Sequence, residues 1–231
     1  MINDFKKFAV SNGVGTTTLE DYEKYNNNIL MGGGYYGFME PSIIEERSLN
    51  VTQLSVFSRL FMDRILFLGT PIDSSVANII NAQLLYLSAN NPETDIKLYI
   101  NSPGGEVVAG LSIYDLMNFI PCPVSTTCMG MSASMGAVLL SSGEKGKRRS
   151  LPHSSIMIHE PMGGISPRTK CKDFMVEAEE MKKTQTLLNK ILAENTGRDV
   201  KEIEAACNVD KWFTATEAMD FGLIDTIITK N

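Results

Sequence analysis

The 231 residues contain two histidines, His153 and His159, so chemistry that needs an imidazole base has two places to find it. His159 ends the apolar run Ile156-Met157-Ile158, which has the composition of a buried strand, whereas His153 follows Pro152 in a turn-like stretch. His159 is the better base. A nucleophile it could activate is Ser134, within Gly-Met-Ser-Ala-Ser-Met-Gly at 130–136, between the β-branched run 124–127 and the apolar run Ala137-Val138-Leu139-Leu140. That order is the pattern of a strand-to-helix corner. A hydroxyl at such a corner stands clear of the sheet beside the first free N–H groups of the helix, which favour developing negative charge. Counted back from Gly136, Ser134 takes the nucleophile slot of a G-x-S-x-G elbow, with Ser132 in place of the first glycine. Small residues at a corner can also serve backbone packing alone, so partners for Ser134 decide the matter.

A third group must orient the imidazole and stabilise its charged form. Asp210 is the candidate, in a turn before a short strand, with Val209 and Trp212 expected to exclude water. Asp220 and Asp225 compete, and spacing alone does not choose among them. For an oxyanion, the expected donors are the N–H groups of Met135 and Gly105, the latter in the turn Asn101-Ser102-Pro103-Gly104-Gly105. These groups together describe acyl transfer through a serine.

The elements that must hold them alternate strand, glycine-containing turn and helix. Val56 to Phe61 has helical spacing, Ile65 to Leu68 is a short strand, and Asp73 or Ser74 can cap a helix that stops at Asn90-Asn91-Pro92. A strand from Ile96 to Ile100, a helix from Glu106 to Ile120, and a strand ending near Cys128 lead to the corner. This order implies right-handed crossovers, a largely parallel sheet, and function where strand C-terminal ends meet helix starts. A long amphipathic helix spans about 169–195; helices at 200–206 and 215–221, a strand at 212–214 and a closing strand from Leu223 to Ile228 complete the chain. Residues 1 to about 40 are polar, with Asn26-Asn27-Asn28 and Gly32-Gly33-Gly34, and read as a flexible, removable extension before a domain from about 41 to 231.

Composition narrows the classes. A net charge of −6 and a single short basic cluster, Lys145 to Arg149, argue against nucleic acid as the main partner. Four scattered cysteines without a C-x-x-C pair suit free thiols in a reducing compartment. No apolar run reaches transmembrane length and the N-terminus lacks a secretion pattern, so the expectation is a soluble cytoplasmic protein. Gly143-Glu144-Lys145-Gly146-Lys147 lacks the spacing and hydroxyl of a phosphate-binding loop, so no nucleotide cofactor is expected in this chain.

Three motifs in register, Tyr-Ile-Asn-Ser-Pro-Gly-Gly at 99–105, Cys-Met-Gly-Met-Ser-Ala-Ser-Met-Gly-Ala at 128–137 and Met-Ile-His-Glu-Pro-Met-Gly-Gly at 157–164, resemble the proteolytic subunits of the Clp protease family. The likeness runs from about Pro41 to the C-terminus. It implies a crotonase-like α/β fold and a homo-oligomer of two stacked heptameric rings, with serine-protease chemistry in the enclosed chamber. It also implies an AAA+ unfoldase that uses ATP to feed in unfolded protein. By the resemblance Ser134 is the nucleophile, His159 the base and Asp210 the acid, and Gly105 and Met135 are the oxyanion donors. Tyr99 and Phe119 fit the pocket that receives the partner's docking loops, the Gly163-Gly164 segment lines the substrate, and the long helix is the handle between rings. Two departures stand out: Asn208 and Val209 replace the usual acidic residue and arginine of the ring-to-ring contact, and Lys97 replaces an aromatic of the docking pocket. The alternatives are a catalytically silent ring subunit and an acyl-CoA hydratase or isomerase of the same fold. The latter requires a carboxylate base, for which Glu106 and Glu160 lie nearest the corner.

Overall fold

The computed structural model describes residues 42–47, 50–163 and 170–229. Two units divide between Val56 and Phe57, later than the boundary near residue 41 expected from composition. The expected extension over 1–40 lies outside the described residues, as do Gly164 and the five residues after it. In the first unit β1 (Ser42–Arg47) and β2 (Asn50–Ser55) pair antiparallel, with Ser42 opposite Ser55.

The second unit is built on a seven-stranded sheet. Following α1 (Val56–Met62), strands β3 (Ile65–Leu68), β4 (Ile96–Ser102) and β5 (Val124–Ala133) pair in parallel, joined by α2 (Ser74–Asn90) and α3 (Val107–Phe119). Then come α4 (Met135–Ser141), β6 (Arg148–Ser150) and β7 (Ser155–Ile158). The long helix α5 (Cys171–Thr196), α6 (Val200–Cys207), β8 (Lys211–Thr214), α7 (Ala215–Phe221) and β9 (Thr226–Ile227) complete it. The path β3-β4-β5-β6-β9 is parallel throughout, and β8 adds one antiparallel edge through β7.

Sequence explains most of these boundaries. In β4, Ile96, Leu98 and Ile100 are buried while Lys97 and Asn101 face solvent, the two-residue period of a strand. The Asp73 carboxylate accepts from the Val76 N–H at 2.8 Å and caps α2, and Arg64 closes the other end, donating to the carbonyls of Leu87, Asn91, Thr94 and Asp95. Thr214 and Glu217 form a reciprocal capping box at the start of α7. Leu68, Leu84, Leu98, Ile113 and Leu139 are fully buried in one core, each contributing about 1.5–3 kcal/mol. Among the described residues no helix is long and apolar enough to cross a membrane.

Two expected strands differ. β5 continues past Cys128 to Ala133 because Gly130, at φ 86°, carries a register irregularity that lets the strand change neighbours. It pairs with β6 over 126–128 and with β7 over 131–133. The closing strand is only Thr226–Ile227: Leu223 and Ile224 are buried, but they sit in the turn after Gly222 (φ 91°), where the Asp225 carboxylate takes over from the ladder.

Asp225 meets Arg148, whose guanidinium is almost wholly buried. Arg148 donates to both Asp225 oxygens, at 2.5 and 3.0 Å, and to the carbonyls of Ser141, Asn195 and Gly222, joining the ends of α4, α5 and α7. Burial pushes the Asp225 carboxyl up, but the hydrogen bonds and charge of Arg148, with the Gly146 N–H, outweigh it and hold the group below the usual carboxylate range. A carboxylate lowered in the folded state stabilises the fold above its unfolded pKa, near about 3.9, and loses that contribution as pH falls through the folded value. Asp225→Asn should therefore lose about 3 kcal/mol in urea denaturation at neutral pH. It should also lose less than the wild type on acidification below about pH 4; equal acid sensitivity would remove this pair as a cause.

Candidate active site

The site follows from strand register. Ala133 of β5 stands opposite Met157 of β7, and the Ser134 N–H donates to the Met157 carbonyl at 2.9 Å, so the serine leaves the sheet beside Ile158. On the other side of β7, Met157 faces Trp212 and Ile158 faces Lys211. One residue further, the same antiparallel register sets His159 against Asp210. The side chains meet accordingly: the Ser134 hydroxyl lies 2.9 Å from His159 Nε2, and Nδ1 lies 3.1 Å from Asp210 Oδ1. With the proton on Nδ1, His159 donates to Asp210 and Nε2 accepts from the serine, the tautomer a general base requires.

Ser134 is held in an unusual conformation, φ 53° and ψ −125°, that costs about 1–3 kcal/mol for a non-glycine residue. The surroundings enforce it. Its N–H is tied to β7, and its carbonyl accepts from the N–H groups of Ala137 and Val138 at the start of α4. Against this corner lies the loop of Gly104 (φ 89°), where a Cβ would come within 2.7 Å of Ser134 Cβ and 3.0 Å of the Met135 nitrogen. Gly105 packs equally closely on the other side, where a Cβ would fall 2.1 Å from the Ile72 carbonyl oxygen. The Ile72 N–H donates to the Gly104 carbonyl and the Glu106 N–H to the Ile72 carbonyl, both at 2.8 Å, so a short bridge fixes the loop beside Ser134. Met135, the first residue of α4, has an N–H with no partner inside the helix.

Beside Ser134 opens a pocket of about 320 Å³ that also includes His159, Gly105 and Met135. Its walls are apolar, with Val107 from α3, Val138 from α4, and Leu188 and Leu192 from α5. The sequence places the last two on the apolar stripe of the long helix, but does not show what that stripe faces.

The remaining expectations divide. Asp225 belongs to Arg148, and Asp220 is exposed near the end of α7, which leaves Asp210 as the acid within reach of His159. Val209 and Trp212 do not cover Asp210 as expected: the Asp210 side chain is 65% exposed among the described residues, and Val209 and Trp212 are 70% and 53% exposed, because the turn after α6 points them outward. Tyr99 stacks on Phe67 with ring centres 5.5 Å apart, and Phe67 meets Phe57 edge-on at 5.7 Å. Phe119 is exposed at the end of α3, outside that cluster. All four cysteines are free. Burial pushes the Cys128 thiol up, and burial with the nearby Glu160 carboxylate pushes Cys207 up to about 11, so both stay protonated.

Comparison with known proteins places the chain in a family. The sequence model of the Clp protease family matches residues 48–231. The chain belongs to the Clp protease family. An ATP-dependent Clp protease proteolytic subunit of Porphyromonas gingivalis is 46% identical over the whole chain and 99% of its own length. One from Bacteroides fragilis is 47% identical over 99% of this chain and its own full length, and another from that species is 52% identical over 84% of the chain and 93% of its length. Family membership carries the crotonase-like α/β fold and the serine-peptidase class.

Gly105→Ala cannot keep the bridge to Ile72, so its N–H must move. Acylation by a fluorophosphonate is expected to slow about 100-fold or more, as for loss of an oxyanion donor, with the far-UV circular dichroism unchanged. A wild-type rate would remove Gly105 from the oxyanion site.

Proposed function

We propose that this chain is the proteolytic subunit of a self-compartmentalised, ATP-dependent serine endopeptidase. The carrying observation is the continuous alignment of Ser134, His159 and Asp210 at hydrogen-bond distances beside an apolar pocket. Ser134 Oγ attacks the peptide carbonyl while His159 Nε2 takes its proton, later returned to the leaving amine. Asp210 holds the Nδ1 proton and stabilises the imidazolium. The N–H groups of Gly105 and Met135 receive the charge that develops on the carbonyl oxygen. Val107, Val138, Leu188 and Leu192 favour an apolar residue before the scissile bond.

The chain assembles with copies of itself into two stacked heptameric rings in the cytoplasm and works with an AAA+ unfoldase that consumes the ATP. The exposed Phe174, Met175 and Val176 on α5, with Val209 and Trp212, supply apolar surface for contact between rings. Tyr99 in its aromatic cluster and the exposed Phe119 supply apolar surface for the unfoldase.

The acyl-CoA reading is the weaker: Glu106 accepts from the Ser74 hydroxyl at 3.1 Å and Glu160 from the Gln185 amide at 2.6 Å, and neither carboxylate lines the pocket beside Ser134. A silent subunit remains distinguishable by experiment. Intact mass after fluorophosphonate treatment should show one adduct on wild type and none on Ser134→Ala, which should also lose peptide hydrolysis while keeping its native mass. An unmodified wild type would favour the silent subunit.

A further inference from the structure

Asp210 is exposed, and its side chain has one hydrogen-bonding partner among the described residues, His159. A carboxylate so placed is oriented by its backbone, and the backbone is held from two directions. On one side is the β7–β8 ladder, whose last pair is Ile158 with Lys211. On the other, the Glu160 N–H donates to the carbonyl of Cys207 at the end of α6, 3.0 Å away. Residues 158–160 and 207–211 therefore form a closed frame, with the His159–Asp210 contact inside it.

The Glu160 side chain reinforces the second closure. Its Oε1 accepts from the Gln185 amide of α5 at 2.6 Å. The side-chain amide of Asn208 lies 3.3 Å from the same Oε1 and 3.1 Å from the Glu204 carbonyl, and because both of these are acceptors the amide is assigned with its nitrogen turned toward them, as donor to both. One carboxylate oxygen thus joins three segments: the loop of the base, the turn of the acid, and the long helix whose Leu188 and Leu192 wall the pocket. Bonds to a charged acceptor are roughly twice as strong as neutral ones, which suits a junction lying partly in solvent.

We propose that Glu160 and Asn208 are positioning residues for the His159–Asp210 pair, the Glu160 carboxylate fastening the Asp210 turn to the base loop and to α5. The inference rests on the catalytic reading of Ser134, His159 and Asp210. It also gives Asn208 an intrachain use at a position where the family resemblance implies a contact between rings.

The test is a double-mutant cycle of Glu160→Ala and Asn208→Ala, with Glu160→Gln as the conservative variant, in the full-length assembled protein. Peptide hydrolysis, the fluorophosphonate acylation rate and native mass are the readouts. Each alanine variant should lower kcat by about tenfold, short of the ~100-fold that a misplacement of 1 Å can cost, with KM and native mass unchanged. The double variant should be no slower than Glu160→Ala alone, because both remove one junction. Glu160→Gln keeps an acceptor oxygen and should stay within about threefold of wild type. Wild-type acylation in either alanine variant, multiplying effects in the double variant, or a slowed variant of altered native mass would each overturn the inference. Failure of wild type itself to form an adduct would instead overturn the catalytic reading beneath it.

Discussion

Strand β7 has a neighbour on each side, and both pairings bear on the candidate active site. Its parallel partner β5 delivers Ser134 and its antiparallel partner β8 delivers Asp210, while its own end supplies His159. A slip of one residue in either ladder would reverse the faces and separate the three side chains by more than any rotamer change could recover. That β7 is reached by β5 at all depends on Gly130, whose positive φ lets β5 leave β6 and take up a second neighbour within a single strand. The arrangement of the three side chains is thus fixed by backbone hydrogen bonds.

The opposite end of the same layer is held differently. Arg148 enters the core at the start of β6 and satisfies carbonyls at the C-terminal ends of α4 and α5 and just past α7, where partial negative charge would otherwise be buried. Asp225 neutralises it. α4 therefore has Ser134 at one end and this ionic junction beyond the other, which gives a helix of only seven residues a rigidity its length would not supply.

The parts legible in the sequence were those with a local pattern. The corner at Ser134 shows in the passage from β-branched to small to apolar residues, and His159 shows as the end of a short apolar run. Spacing alone left Asp210, the candidate acid, in competition with Asp220 and Asp225, and only the family resemblance chose it, since its pairing with His159 spans 51 residues. Arg148 is the buried member of the basic cluster Lys145 to Arg149, and nothing in Lys-Gly-Lys-Arg-Arg indicates which residue turns inward. Glu160, Gln185 and Asn208 were equally silent as a group, because polar residues near the surface follow no periodicity and meet only through the fold. The protection expected of Val209 and Trp212 failed for a related reason: proximity in sequence to Asp210 says nothing about which way a turn directs its side chains.

The exposure of Asp210 has an electrostatic consequence. Water around the carboxylate screens its attraction for the imidazolium, so in the isolated chain the pair interacts through a medium of high dielectric constant. Dissolved salt weakens it further. Any surface laid over that turn would displace water and strengthen the same interaction several-fold without moving an atom of the triad. The three side chains can be fully aligned and still differ in how strongly they attract one another according to what covers them.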